Sequence, residues 1–348
     1  MTIDILRTAK AFALTGACIT FALLYPASGQ AGSQAMSQPA KVDLEAPAAI
    51  QRTDLPSWAY TPPTPRVPHA PDNGAILHVP GSDRGYTRTQ INDPYGPPDW
   101  FPNQHPPAPT EATQGRKAAY YACGLCHLVS GYGRPENESI AGLPVGYILE
   151  QIDDFKNGRR HSSVANMGLI TMIPVAEGIT PEEAKTAAEY YASVKPVQWI
   201  HVVETNTVPK THPNARMLAV DPNGGTEPIG NRVIEVPENL ELAEMRDSAS
   251  GFIAYVPVGS IKRGEELVRT GDNGKSTPCV VCHGQDMRGM GDIPPLAGRS
   301  PSQMARQIYD FKTGARNGTN AALMKGPVQN LTDADIVNII AYLASLKP

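Results

Sequence analysis

The sequence has little of several features that commonly characterise a folded chain. Aromatic residues make up 6% of the 348 residues and charged residues 18%. The formal net charge is −4, so the overall charge gives no support for nucleic-acid binding. Only five cysteines are present, and four of them lie in two short motifs, so we do not expect disulfide bonds to hold the fold. The length is nevertheless sufficient for two domains of ordinary size.

The two motifs have the form Cys-x-x-Cys-His. The first runs from Cys123 to His127 and the second from Cys279 to His283. This pattern is the attachment signature of a c-type haem, whose vinyl groups bond to the two thiols. The adjacent histidine supplies the proximal nitrogen to the iron. The sequence therefore predicts two covalently attached haem c groups. The predicted attachment residues are Cys123, Cys126, Cys279 and Cys282.

Other interpretations of a Cys-x-x-Cys pair fit the sequence less well. A zinc ribbon places its two pairs about 15–20 residues apart, whereas these motifs begin 156 residues apart. A thioredoxin-like dithiol would lie in a βαβ pattern, and no such pattern surrounds either motif. Each pair is also followed directly by histidine, which favours haem attachment.

Residues 1–31 have the features of a secretory signal peptide. Arg7 and Lys10 form a basic start, an apolar stretch runs from Ala11 to Tyr25, and small residues follow. Haem c is attached outside the cytoplasm, so export agrees with the two motifs and we expect a periplasmic protein. Two alternatives stay open. One is lipid attachment at Cys18, although the apolar run continues past it, and the other is an uncleaved N-terminus that anchors the chain in a membrane.

The chain contains one type of domain twice. Shifting the first motif by 156 residues places it on the second, and the register holds well beyond the cysteines. Pairs that match at this offset include Gln151 with Gln307, Phe155 with Phe311 and Arg160 with Arg316. The offset then drops to 152, which aligns Met172 with Met324 and Tyr190 with Tyr342. The first copy therefore carries four additional residues between its arginine and its methionine.

Each copy is predicted to be helical. The last helix begins with a capping signal at Thr332 in the second copy and at Thr180 in the first. Apolar residues follow these signals at helical spacing and predict one buried stripe on each helix. Three to four short helices around a haem predict an all-α domain. Further helices are expected over residues 144–157, 301–312, 261–270 and, in a shorter form, near 115–121.

The sixth iron ligands are predicted to be Met172 and Met324. Methionine is the usual distal ligand where the task is electron transfer, because its thioether raises the reduction potential. The two are equivalent in the repeat, and each is expected on a loop before the last helix. Met167 is an alternative to Met172. His161 could instead make a bis-histidine site, but Asn317 stands at its place in the second copy.

The second copy contains CHG, then PxLAG, QIYDFKTG, Met324 and a helix that ends in YLASLKP. In this order the elements resemble class I c-type cytochromes, and the doubled arrangement resembles the tandem dihaem cytochromes of the bacterial periplasm. The resemblance covers about residues 112–196 and 258–348. It implies His/Met haems, electron transfer rather than substrate chemistry, and a carbonyl of Pro294 that holds His283.

The first copy departs from the family pattern at one point. Glu138 stands where the second copy has Pro294, and Pro135 lies three residues earlier. Either Pro135 or another carbonyl is therefore expected to hold His127. The connector is a second departure: residues 197–257 are far longer than the short connector of the family, so the close contact of two haems seen in relatives is not assumed.

Two further segments lie outside the repeats. Residues 36–110 contain 16 of the 34 prolines, which excludes long helices and central strands and predicts extended chain. The aromatic stretch GYTRTQINDPYGPPDWF within it is expected to lie against a haem domain or a partner protein, with a loose tether as the alternative. The connector contains β-like stretches and is expected to form a small sheet or to wrap across both haem domains.

Polar residues outside the repeats are predicted to be surface residues. His105 and the other histidines there are expected in solvated loops. The acidic residues expected on a solvated surface are Glu235, Glu238, Glu241 and Glu244.

The predicted organisation has five parts. They are a signal peptide (1–31), a proline-rich N-terminal arm (32–111), a first cytochrome c domain (112–196), an interdomain segment (197–257) and a second cytochrome c domain (258–348). We expect a periplasmic electron-transfer protein, as a soluble carrier or as the electron-transfer subunit of a dehydrogenase. Its expected partners are redox proteins, either a periplasmic dehydrogenase or a terminal oxidase or reductase. The alternative is a dihaem redox enzyme that reduces peroxide or oxidises small sulfur compounds.

Overall fold

The computed structural model describes residues 55–61, 64, 71–164 and 167–348, with the backbone alone for 167–170. The predicted signal peptide and the first part of the arm lie outside the described residues. Helices predominate, and short strands lie between the two helical copies. Within the described ranges, no helix combines the length and apolar character needed to cross a bilayer.

The aromatic stretch of the arm folds against the interdomain segment. The arm contains helix α1 (Arg88–Ile91), which Thr87 caps, and a 3₁₀ turn at Pro102–Gln104. Trp100 is buried, its ring lies edge-on to Tyr86 at 4.7 Å, and its indole nitrogen donates to the Met245 carbonyl at 2.9 Å. The sequence predicted contact with a haem domain or a partner. The stretch does contact the first copy, since the Ala122 amide donates to the Pro94 carbonyl at 3.0 Å, and its small core forms with the interdomain segment.

The first copy contains five helices and one short hairpin. The helices are α2 (Thr110–Thr113), α3 (Gly124–His127), α4 (Val145–Lys156), α5 (Met167–Gly178) and α6 (Pro181–Ser193). The hairpin strands are β1 (Gly115–Arg116) and β2 (Tyr120–Tyr121). The expected helices over α4 and α6 are confirmed, and Thr180 caps α6 with a reciprocal bond to Glu183. The helix expected near 115–121 is wrong. Gly115 and Ala118 have φ values of 62° and 64°, which turn the chain into a hairpin.

The interdomain segment forms the small sheet that the sequence predicted. Its elements are β3 (Ile200–Glu204), β4 (Thr207–Pro209), β5 (Thr211–Asn214), β6 (Met217–Val220), β7 (Thr226–Pro228), β8 (Ile234–Pro237), α7 (Leu240–Glu244) and β9 (Phe252–Val256). The three apolar stretches β3, β8 and β9 make one sheet, in which β9 runs parallel to β3 and antiparallel to β8. Two hairpin-like pairs, β4 with β7 and β5 with β6, complete the segment.

The second copy is helical throughout. Its helices are α8 (Ser260–Thr270), α9 (Val280–His283), α10 (Pro301–Thr313), α11 (Ala321–Gln329) and α12 (Asp333–Ser345). The capping box at Thr332 and the stop at Gly314, which has a φ of 81°, are as the sequence predicted. The main buried core joins this copy to the sheet and to α6. It includes Tyr191, Ile200, Ala254, Ile308, Ile336 and Ile340.

The two segments that carry the predicted methionine ligands are helices rather than loops. Met172 lies in α5 and Met324 in α11. A proline inside each helix, Pro174 or Pro327, removes one amide donor and would favour a break. Packing of α5 against α4 and of α11 against α10 keeps both segments helical, because tertiary contacts override local propensity.

The two copies meet along equivalent segments. The His161 amide donates to the Ala315 carbonyl at 2.9 Å, and the Asn317 amide donates to the Arg159 carbonyl at 2.7 Å. At the repeat offset of 156, residue 161 matches 317 and residue 159 matches 315. The bonds are therefore reciprocal, and they relate the contacting parts of the two copies by a local two-fold axis.

Candidate functional site

A large cavity opens beside the first motif. It has an empty volume of about 1290 Å³ and is lined by Cys123, Cys126 and His127 together with Met172 from α5. This volume includes space that is open to the solvent. The remaining wall is mainly apolar. It includes Ala122, Ile140, Leu143, Ile148, Phe155 and Val175.

The two cysteines of this motif are half-buried, and their thiols lie at the wall of the cavity. Burial raises the pKa of Cys123 to about 12, and it also raises the pKa of Cys126. Burial likewise raises the pKa of Cys279 in the second motif to about 11. A redox dithiol needs a thiolate with a lowered pKa, so these environments fit thiols that are consumed in covalent attachment. All four motif cysteines are free of disulfide bonds.

His127 is held in the orientation that an iron ligand needs. Its Nδ1 lies 2.7 Å from the Glu138 carbonyl oxygen, which can only accept, so Nδ1 carries the proton and Nε2 is free for a metal. Burial lowers the pKa of His127, which keeps the ring neutral. Pro135 and another carbonyl were the two alternatives left open by the sequence. The structure assigns the bond to the carbonyl of Glu138, at the position equivalent to Pro294.

His283 has the matching arrangement in the second copy. Its Nδ1 lies 2.9 Å from the Pro294 carbonyl oxygen, the partner that the resemblance implied. Burial also lowers the pKa of this histidine. Met324 is half-buried and packs, with Cys279, against the main core. The structure therefore places Cys282 and His283 on α9 and Met324 on α11, with Cys279 just before α9.

The alternative ligands are placed differently. His161 is exposed and lies at the contact between the two copies, outside the residues that line the cavity. The side chain of Met167 lies outside the described part of the chain. The structure therefore places Met172 in the wall of the cavity and His161 outside it.

The inner wall of the cavity comes from the other copy. Gln303, Arg306, Gln307 and Asp310 line it from α10. Across this wall, the Arg160 guanidinium donates to Gln151 and to Gln307, both at 3.0 Å. The Arg316 guanidinium donates to Gln307 at 2.9 Å and to Gln151 at 2.8 Å. This is a reciprocal network on the local two-fold axis.

The network buries two like charges side by side. Arg160 pairs with the Glu138 carboxylate at 3.2 Å and lies over the Phe155 ring at 4.6 Å. Arg316 lies over the equivalent Phe311 ring at 4.2 Å. Burial, and then the neighbouring charge of Arg316, lower the pKa of Arg160. A buried cation needs an anionic partner, and the Glu138 carboxylate supplies it for Arg160.

Some of the acidic residues and histidines that were predicted to lie on the surface are in fact buried. Glu235 is 4% exposed and accepts from Ser300 at 2.8 Å, and Glu244 accepts from Asn214 at 2.9 Å. The prediction of a solvated acidic surface is wrong for both, because Glu235 lies in the fully buried strand β8 and Glu244 lies on the buried side of α7. His105 is also enclosed: its Nε2 lies 3.1 Å from Asp99. The pair Arg160 and Arg316, by contrast, could have been singled out from the sequence, because the two arginines occupy equivalent positions in the repeat.

Comparison with known proteins agrees with the second motif. The family described as Cytochrome c matches residues 261–347. Cytochrome c-554(548) of Halomonas halodenitrificans is 39% identical over 88 residues, which are 25% of this chain and 96% of the relative. The thiosulfate dehydrogenase electron acceptor of Thiomonas intermedia is 25% identical over 229 residues, covering 64% of this chain and 78% of the relative.

One solved structure extends the comparison. The as-isolated thiosulfate dehydrogenase of Marichromatium purpuratum matches 68% of this chain with 26% identity and a TM-score of 0.46, and the match spans 38% of that structure. The near-complete coverage of the Halomonas relative at 39% identity establishes the family. The chain belongs to the bacterial c-type cytochromes, electron-transfer proteins that bind haem c covalently.

Proposed function

We propose that the protein is a periplasmic dihaem cytochrome c with two His/Met sites. In the first site, Cys123 and Cys126 attach the haem and His127 and Met172 bind the iron. In the second, Cys279 and Cys282 attach the haem and His283 and Met324 bind the iron. The carrying observation is that one large apolar cavity is lined by both thiols, the oriented histidine and the methionine of the first site.

The bound haem supplies the one-electron redox step, and the protein sets its surroundings. The carbonyls of Glu138 and Pro294 fix the two imidazoles, which sets ligand orientation and basicity. The mainly apolar wall lowers the polarity around the first site. Methionine as the second ligand raises the potential and leaves no open position for a substrate.

The two sites are proposed to act in series. Gln307 and Asp310 of the second copy line the first cavity, so the second haem domain supplies part of the wall of the first site. Arg160 and Arg316 are bonded reciprocally across it, which supports a fixed relation between the haem domains at 112–196 and 258–348. An electron that enters one site can therefore pass to the other without leaving the protein.

The partner is proposed to be a periplasmic dehydrogenase. Two relatives, from Thiomonas intermedia and Stutzerimonas stutzeri, are named as electron acceptors of thiosulfate dehydrogenase. By this likeness the chain accepts electrons from a dehydrogenase, as a soluble carrier or as its subunit, and passes them to a terminal oxidase or reductase. Residues 1–31 are proposed to direct its export.

Potentiometric titration of the purified protein, followed in the visible spectrum, tests this function. We expect two one-electron steps and, in the oxidised form, the weak absorption near the red end that methionine–iron bonding gives. A high-spin signal from one haem, together with turnover of peroxide, would replace the carrier function with an enzymatic one.

A further inference from the structure

One buried arginine bonds to both copies at once. Nε of Arg299 donates to the Pro295 carbonyl of its own copy at 2.8 Å. The two terminal nitrogens donate to the first copy, Nη1 to the Ser139 carbonyl and Nη2 to the Ala141 carbonyl at 3.2 Å. The fixed fork of a guanidinium allows one side chain to hold three carbonyls in this way. Arg299 therefore forms a bridge between two loops that are far apart in the sequence.

These loops are the ones that hold the two proposed proximal histidines. Ser139 directly follows Glu138, whose carbonyl accepts from the histidine of the first motif. Pro295 directly follows Pro294, whose carbonyl accepts from the histidine of the second motif. The carbonyl acceptors of Arg299 are thus next in the chain to the acceptors of the two imidazoles. A side chain that fixes the first set of carbonyls also constrains the second set.

The repeat shows that this bridge is not a requirement of the domain fold. The offset of 156 places Arg299 on Leu143, which is 2% exposed and lines the first cavity. A leucine side chain has no donor, so the first copy forms no equivalent bridge from this position. Arg160 and Arg316 differ in this respect, because they occupy equivalent positions in the two copies. Arg299 is therefore an addition in the second copy, and packing of the domain alone does not explain it.

The charge of Arg299 is buried without a direct counter-charge. Its side chain belongs to a residue that is 6% exposed, all three acceptors are neutral carbonyl oxygens, and within the described ranges it forms no ion pair. Burial lowers the pKa of Arg299, but a guanidinium stays charged in proteins. The carboxylate with the largest influence on it, that of Glu138, is bonded to Arg160 at 3.2 Å. A positive charge thus lies between the two histidine-holding loops.

We propose that Arg299 is a positioning residue for both haem sites, which ties the two histidine-holding loops together and raises the reduction potentials of both irons through its buried charge. This inference rests on the proposed dihaem function. Each iron takes up one electron on reduction and loses one unit of positive charge, so a nearby buried cation favours the reduced form. When an electron passes between the two sites, one iron is oxidised and the other is reduced, and Arg299 stays protonated throughout.

Potentiometric titration of holoprotein variants tests this proposal. Arg299→Gln keeps an amide donor and removes the charge, whereas Arg299→Lys keeps the charge and removes the fork. In Arg299→Gln we expect the reduced-to-oxidised ratio of both sites at a given potential to fall by about tenfold, which equals about 59 mV for a one-electron step. Arg299→Lys should stay within about threefold of the wild type. Both variants should unfold at a lower temperature, and both should keep the long-wavelength absorption of the methionine–iron bonds.

Two further variants complete the test. Arg299→Leu introduces the residue of the first copy and should reproduce the shift of Arg299→Gln, so it serves where the glutamine variant does not hold two haems. The matched control is Arg232→Gln, which removes a charge that is paired with Glu227 at 2.6 Å in the interdomain segment, and it should leave both midpoints within about twofold of the wild type.

Three outcomes would overturn the role of Arg299. They are a lower melting temperature with unchanged midpoints, which a purely structural residue would give, a shift in only one midpoint, and an equal shift in Arg232→Gln. The haem content of each protein is measured first. Fewer than two haems in the wild type would refute the proposed function, whereas two haems with unchanged midpoints in Arg299→Gln and Arg299→Leu would refute this inference alone.

Discussion

Met172 and Met324 are the residues on which the character of the two sites depends. Replacing Met324 with alanine should remove about half of the weak long-wavelength absorption, because one methionine–iron bond is lost and one remains. The potential of that site should fall by on the order of 0.1 V, within the ~0.8 V range that axial ligands span. Visible spectroscopy and potentiometry of the variant measure both effects.

Met304→Leu is the control for this prediction, since Met304 is a buried core residue of α10. Its spectrum should match that of the wild type. Full retention of the long-wavelength absorption in Met324→Ala would contradict the assignment of this ligand. Met172→Ala should behave in the same way at the first site.

Glu235 should make the stability of the protein depend on pH. Burial raises its pKa, so the stability that it contributes is full below its unfolded value of about 4.3 and is lost as the pH rises through the folded value. Glu235→Gln keeps an acceptor for Ser300 and Ser302 but carries no charge. The variant should therefore be more stable than the wild type at pH 8, with a difference that shrinks towards pH 4.

Denaturant unfolding of both proteins across this pH range measures the difference. Glu241→Gln, at an exposed position of the same segment, should show no such trend. A wild type that is more stable than Glu235→Gln at pH 8 would show that the buried carboxylate is compensated by its surroundings.

At the scale of single residues, the sequence predicted which residues form the site better than it predicted which residues are buried. Cys123, His127 and Met172 were found from the motif and the repeat, and the structure brings them to one cavity. The carbonyl of Glu138 was not assigned to His127, because a backbone acceptor leaves no mark on side-chain identity. Glu235 was misplaced because its strand β8 is buried at every position, so it has no alternation from which an inward residue could be recognised.

At the scale of elements, α8 and α12 of the second copy pack closely against each other at Gly264. A Cβ atom added to Gly264 would lie 1.9 Å from the Asn338 carbonyl oxygen and 2.8 Å from Cβ of Tyr342. Gly264→Ala should lower the free energy of unfolding by about 1–3 kcal/mol, since the helices must separate. This loss exceeds the gain of up to about 1 kcal/mol in helix propensity.

Thermal unfolding of Gly264→Ala checks this prediction. Lys262→Ala, on the exposed side of the same helix, should change stability by less than about 0.5 kcal/mol. A melting temperature of Gly264→Ala at or above that of the wild type would show that α8 can shift on α12 without loss.

Helices with strong local signals were predictable and segments shaped by packing were not. Thr180 and Thr332 mark the last helix of each copy through capping boxes, and both helices begin there. Helices α5 and α11 contain internal prolines and depend on contacts with α4 and α10, which the local sequence does not encode. The hairpin of β1 and β2 depends on positive φ at Ala118, a residue type that gives no turn signal.

At the scale of the whole molecule, the arm is held to the interdomain segment by Trp100. Trp100→Ala should lower stability by about 3–5 kcal/mol, because it empties a buried site and removes the bond to the Met245 carbonyl. Trp100→Phe keeps an aromatic ring, so it should lose mainly that bond, at about 1 kcal/mol. Limited proteolysis within residues 71–111 should accelerate in the alanine variant and much less in the phenylalanine variant.

Equal proteolysis rates in the wild type and Trp100→Ala would show that the arm is held by other contacts. The sequence could not predict this association, because Trp100 and Met245 are 145 residues apart and no periodic pattern links them. It did predict that the aromatic stretch lies against a haem domain or a partner protein, and the bond from the Ala122 amide to the Pro94 carbonyl joins it to the first copy. The surface that the aromatic stretch contacts depends on how the interdomain segment folds.

The central claim is that one chain holds two haem c groups, one at each Cys-x-x-Cys-His motif. Intact mass spectrometry of protein matured with its haem-attachment machinery tests it most directly. The account predicts a mass that exceeds the polypeptide by two haems, falling to one haem when both cysteines of either motif are replaced by alanine. A wild-type mass that carries one haem or none would contradict it.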